Sequence, residues 1–104
     1  MENLPKSLRI GANDYAVNSV SGLASGQGNW GEIDYGNTAI SLEESLSESK
    51  TLDTLIHEMT HGILFEAGFD DHTEEQANRI AKVLASTLRD NDFGFMRKES
   101  KSCE

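Results

Sequence analysis

The segment TLDTLIHEMTHGILFEAGF, residues 51–69, decides how the second half of this chain folds. Its apolar residues Leu52, Leu55, Ile56, Met59 and Ile63 recur at intervals of three and four, the period of an α-helix buried along one stripe. Ser45 and Ser47, just upstream, are placed to cap the helix start, and Gly68 is placed to end it. With about 100° of rotation per residue and the stripe set at 0°, His57 and His61 fall at roughly 140° and 180°, and Glu58 at roughly 240°. All three therefore lie away from the stripe, on a side flanked by Leu64 and Phe65. A histidine serving only as packed core belongs inside the stripe, and these do not sit there.

The order His57-Glu58-x-x-His61 carries specific chemistry. Side chains four apart stack on one helical face, so two neutral imidazoles can converge on one Zn²⁺ at about 2.0–2.1 Å. Glu58, rotated about 100° from His57, can face a water on that ion without binding the ion itself, which is what a general base requires. A catalytic zinc takes a third protein ligand and keeps one position open. Glu66, His72, Glu74 and Glu75 are the nearby candidates. Thr73 and Gln76 form a capping-box pattern that opens a second helix, with the apolar stripe Ala77, Ile80, Ala81, Leu84 and Leu88. Relative to that stripe Glu74 falls at roughly 60° and Glu75 at roughly 160°. Glu74 borders the buried face and is preferred as the ligand; Glu75 points outward and can pair with Arg79 one turn on. His72, in the loop between the helices, can reach the metal, polarise a substrate carbonyl, or simply be solvated. Asn78, one turn after Glu74, can hold a ligand in place. Tyr35 and Tyr15 can donate to an oxyanion, or pack.

Upstream, the sequence reads as short strands. SLRIGANDYAVNSV has a turn-like G-A-N-D between apolar stretches, with Tyr15, Val17 and Val20 on one side of a strand, and predicts a first hairpin. GEIDY and TAISL alternate around Gly36-Asn37, which predicts a second hairpin closed by a tight two-residue turn. Between them SGLASGQGNWG is Gly- and Ser-rich and reads as a loop. Strands first and helices second give an α+β class: a small antiparallel sheet of hairpins followed by two helices, in one domain over residues 1–91. Residues 92–104 are expected to form a flexible tail, with Phe93, Phe95 and Met96 available to fold back onto the core.

Composition removes several functional classes. Nine Lys and Arg against eighteen Asp and Glu leave a charge of −9, which repels a phosphate backbone and argues against direct nucleic-acid binding. No apolar run approaches the roughly 20 residues of a membrane helix, and the opening MENLPKSLRI lacks a signal peptide's apolar segment, so the expected compartment is the cytoplasm. The single cysteine, Cys103, lies in a polar tail, and reads as an inert residue rather than part of a thiolate cluster. A monomer is the default assembly.

His57-Glu58-Met59-Thr60-His61, followed by a helix opening Glu74-x-x-Ala77-Asn78, resembles the gluzincin metallopeptidases, a zincin-like class whose third ligand is a Glu with Asp or Asn one turn later. Together with the upstream strands the likeness spans roughly residues 8 to 91, and is similar to small phage and prophage proteins grouped with ImmA/IrrE-type zinc metallopeptidases. A metzincin is a poor match, since its third histidine would fall at Ala67. The resemblance implies zinc at His57, His61 and Glu74, Glu58 as general base, and hydrolysis of an intracellular protein or peptide substrate, in the host cytoplasm if the chain is phage-encoded. An extended substrate is expected to lie along a strand edge near residues 38–42. The competing reading is a non-catalytic acidic interaction module, such as a phage-type inhibitor of a host protein, with zinc structural or absent.

Overall fold

The structure is a computed structural model that describes residues 4–23 and 30–97; Cys103 and most of the Gly/Ser-rich loop lie outside the described residues. Strands β1 (Ser7–Ile10), β2 (Asn13–Val20), β3 (Gly31–Asp34) and β4 (Ala39–Glu43) precede helices α1 (Glu48–Glu66) and α2 (Glu74–Asp90), and a 3₁₀ turn spans Gly94–Met96. The fold is α+β. Both expected hairpins are present, β1 with β2 and β3 with β4. They are joined by a seam that hairpin reasoning did not include: β2 and β4 pair in parallel, so the sheet is mixed, in the order β1-β2-β4-β3. The connection from β2 carries the chain past the β4 position to the outer strand, and β4 then returns into the gap.

The first hairpin closes on the pair Ile10 and Asn13, with Gly11 at φ 61° in the first of two turn positions, where a primed turn takes glycine. Alternate residues Tyr15 and Val17 of β2 and Ile40 and Leu42 of β4 form the core with Ile10 and Leu55. Burial of each large aliphatic side chain contributes roughly 1.5–3 kcal/mol. The second hairpin departs from the two-residue turn expected at Gly36-Asn37. Pairing stops at Asp34 and Ala39, leaving a four-residue loop, 35–38, in which Thr38, not Gly36, has positive φ (48°). The cause is Asp34: its carboxylate accepts from the backbone N–H of Asn37 at 3.1 Å and from its side-chain amide at 2.9 Å. The chain wraps around that carboxylate, and Tyr35 is released toward α1.

Ser47 caps α1, accepting from the Lys50 N–H at 3.3 Å. The face that α1 buries differs from the apolar stripe. Thr51, Leu55, Glu58, Thr60 and Gly62 are buried, whereas Leu52 and Ile63 are 46 % and 41 % exposed. Close approach to the sheet accounts for this: a Cβ on Gly62 would stand 2.9 Å from the Ile10 terminal methyl and 3.2 Å from that of Ile33, so small side chains are what this interface accepts. At the C-terminus, Gly68 at φ 97° lets the Phe69 N–H reach the Leu64 carbonyl at 2.8 Å, closing the helix in a Schellman-type turn. Glu66, weighed above as a metal ligand, is engaged elsewhere. Its carboxylate accepts from Tyr15 Oη at 2.8 Å and from Asn13 Nδ2 at 3.0 Å, pinning the first hairpin to the end of α1.

The capping box of α2 forms as expected, Thr73 accepting from the Gln76 N–H and the Gln76 side chain from the Thr73 N–H. Of its stripe only Ala77 and Ala81 are buried, while Ile80 and Leu88 are exposed; alanines let α2 lie close on α1 and leave the longer side chains outside. Phe95 and Met96 are exposed too, at 86 % and 68 %, and do not fold back onto the core. Among the described residues, no helix is long and apolar enough to cross a membrane.

Candidate metal centre

α1 presents His57 and His61 one turn apart, with side chains 21 % and 12 % exposed. The loop after Gly68 returns the chain so that the first turn of α2 brings Glu74 against them. Its Oε2 lies 2.7 Å from His57 Nε2 and its Oε1 lies 3.1 Å from His61 Nε2. The carboxylate thus spans both imidazoles. Each of these residues offers a ligand atom, all within 4.8 Å of one another, so small side-chain adjustments would bring them to the edge of about 3.4 Å that a tetrahedron with arms of about 2.1 Å requires. Two imidazole nitrogens and a carboxylate oxygen suit zinc, and a three-residue set leaves room for water or substrate. The donor set fits.

The adjacent glutamate is turned outward, Glu75 pairing with Arg79 at 3.3 Å, as its helical angle predicts. His72 is half-buried and does not face Glu74. Its Nε2 meets His61 Nδ1 at 2.8 Å, on the far edge of the ring from Glu74, and its Nδ1 meets the Phe69 carbonyl. Burial holds the His61 pKa below the ordinary imidazole value despite the neighbouring Glu74 carboxylate, so burial favours the neutral ring a metal ligand must be.

Glu58 is buried, with 7 % exposure, yet it lines the same cleft as the two histidines. Burial first, and then the Glu74 and Glu32 carboxylates, push its pKa up to about 7. A carboxyl poised near neutrality can both take and return a proton. Tyr35 stacks on Phe65 with ring centroids 4.3 Å apart and also lines the cleft. Its phenol pKa is raised by burial and by Glu58 and Glu74, so it stays a neutral O–H donor through the physiological range. Asn78 lines the cleft one turn beyond Glu74.

The cleft, about 910 Å³, runs between β3 and α2 with the two histidines and Glu58 in its floor. β3 is an edge strand of the sheet, whereas β4 pairs on both sides. The strand edge expected near residues 38–42 is therefore already occupied, and the edge beside the histidines belongs to Gly31, Glu32 and Ile33. Sequence reasoning also missed the cleft's cationic flank. Lys82 and Arg89 line it from α2, and Lys50 does so from α1 with its Nζ 4.4 Å from the centre of the Trp30 ring. The signal was present: Glu74, Asn78, Lys82, Ala85 and Arg89 follow one another at intervals of three and four, one face of a helix. No protein-family model, curated protein or solved structure matches the chain.

Proposed function

We propose that this protein is a zinc-dependent metallopeptidase with a gluzincin-like ligand set, akin to the small ImmA/IrrE-type proteins, hydrolysing an extended segment of an intracellular protein. The observation that carries the reading is the opening of His57, Glu58, His61 and Glu74 onto one cleft beside an edge strand. The buried Glu58 carboxyl beside this ligand set favours the catalytic reading over a non-catalytic interaction module. Zinc bound there would lower the pKa of a water and polarise the scissile carbonyl. Glu58 accepts the proton of the attacking water and delivers it to the leaving nitrogen. Tyr35 donates its O–H toward the developing oxyanion. The main chain of β3 aligns the substrate as an added strand.

The test is zinc content together with hydrolysis of a quenched-fluorescent peptide library. Wild type and Glu58→Gln are expected to hold one zinc each, with hydrolysis lost at least about a hundredfold in the variant. Glu74→Ala is expected to lose zinc and Glu75→Ala to keep it. Wild-type protein without zinc, or undiminished hydrolysis by Glu58→Gln, contradicts the proposal.

A further inference from the structure

We propose that His72 is a positioning residue for the metal site: in the loaded protein it accepts the Nδ1 hydrogen of His61 and so holds that ring with Nε2 turned to the metal. The inference rests on the metal reading above and adds to it a residue that the ligand set does not contain. Two contacts in series carry it: His61 Nδ1 with His72 Nε2 at 2.8 Å, and His72 Nδ1 with the Phe69 carbonyl; they leave His61 Nε2 on the side of Glu74, where the metal would lie.

The two ends of that series are fixed by chemistry. A backbone carbonyl can only accept, so His72 Nδ1 carries a hydrogen. At the other end, a nitrogen that binds a metal carries none, so in the loaded protein the hydrogen of neutral His61 sits on Nδ1. That N–H points at His72 Nε2, which must then be a lone pair; two N–H groups facing each other across 2.8 Å would repel. A neutral imidazole has one hydrogen, and His72 has already placed it on Nδ1. With a metal on His61 Nε2, one proton arrangement satisfies both links, with both rings neutral, both hydrogens on Nδ1 and the His72 Nε2 bare; without the metal, the Glu74 carboxylate 3.1 Å from His61 Nε2 calls for a hydrogen there instead.

The loop that makes this arrangement is held by its own bonds. The turn that closes α1 puts the Phe69 N–H on the Leu64 carbonyl at 2.8 Å, and the His72 N–H returns to the Phe69 carbonyl at 3.3 Å. The same carbonyl thus anchors both the backbone and the ring of His72. In many metal sites a carboxylate or a carbonyl orients the ligand histidine directly; here a second imidazole is interposed between the ligand and the carbonyl. Interposing a ring extends the reach, because Phe69 lies beyond the end of α1.

The experiment is ¹⁵N NMR of the imidazole nitrogens in zinc-loaded wild type, paired with zinc affinity of two variants. The expected spectrum shows neutral His72 with its hydrogen on Nδ1 and a bare Nε2, coupled across the hydrogen bond to the N–H of His61. A His72 ring with its hydrogen on Nε2, or one averaging between the two forms, overturns the proposal even if zinc is bound. His72→Ala is expected to bind zinc about tenfold to a hundredfold more weakly with an unchanged circular dichroism spectrum. His72→Gln is expected to recover most of that loss, because its amide oxygen accepts the same N–H. Equal affinity in wild type and His72→Ala overturns this inference alone. Absence of zinc from wild type overturns the metal reading and the inference with it.

Discussion

Gly31 allows β3 to lie against α1 beside Glu58, and replacing it with alanine has a consequence that can be worked from distances. A Cβ there would stand 2.6 Å from Thr54 Cγ2, and 3.3 Å from both Cγ and Oε2 of Glu58. Carbon atoms pack at about 3.5–4.0 Å, so the first contact is too close by about 1 Å. Thr54 cannot turn its methyl aside freely, because its hydroxyl donates to the Lys50 carbonyl at 2.7 Å, a bond contributing about 1 kcal/mol. Either that bond breaks or β3 lifts. Overpacking of this kind costs about 1–3 kcal/mol, offset by the 0.5–1 kcal/mol or so that alanine gains over glycine in a strand. The expected result is a net loss of about 1–2 kcal/mol in urea unfolding, with impaired hydrolysis as the strand moves off Glu58. Thr54→Ser deletes only the colliding methyl and keeps the hydroxyl. In that background the Gly31→Ala penalty should largely vanish, giving a coupling on the order of 1 kcal/mol in a double-mutant cycle. An equal penalty in both backgrounds, or no penalty in either, would show that the Thr54 methyl is not what Gly31 makes room for.

Two further predictions concern pH. Because the folded Glu58 carboxyl titrates at about 7 against an ordinary value of 4.5, folded protein stripped of metal keeps a proton that the unfolded chain has shed. Its stability therefore falls as pH rises from about 4.5 to 7, by on the order of 3 kcal/mol, and chemical denaturation of chelator-treated Glu58→Gln should show that decline removed. Tyr15 is raised from 10 to about 12 by burial and by its bond to Glu66, so stability also falls as pH rises from about 10 to 12. Tyr15→Phe should weaken this alkaline decline and cost about 1–2 kcal/mol at neutral pH, read by denaturation alongside tyrosinate absorbance.

What the sequence made legible was local. Four-residue spacing within one helix places His57 and His61 on a common face whatever surrounds them, and the 100° between Glu74 and Glu75 turns the first toward the histidines and the second toward Arg79, although both side chains are exposed. The capping box at Thr73 and the hairpin at Gly11 are equally local. What escaped depends on pieces far apart in the chain. The parallel pairing of β2 with β4 follows from where the connection between them leads, which no periodicity reports. The stripe of α1 placed Leu55 and Met59 correctly against the core but not Leu52 and Ile63, because hydrophobicity alone does not register that a sheet approaching Gly62 and Thr51 prefers small side chains. Glu66 was open as a ligand until Asn13 and Tyr15, over fifty residues away, claimed its carboxylate. His72 is the sharpest case: the sequence leaves it open as a ligand, a carbonyl polariser or a solvated residue, and its contact with His61 depends on the path of residues 67–73.

Everything proposed for this protein requires His57, His61 and Glu74 to hold one divalent ion in the cleft. Anomalous X-ray diffraction at the zinc edge, on crystals of protein purified without added metal, tests it most directly. A single strong peak is expected within bonding distance of His57 Nε2, His61 Nε2 and a Glu74 oxygen, with His61 Nδ1 still on His72. Crystals with no peak there, or with the ion bound elsewhere and the imidazoles turned from one another, would contradict it.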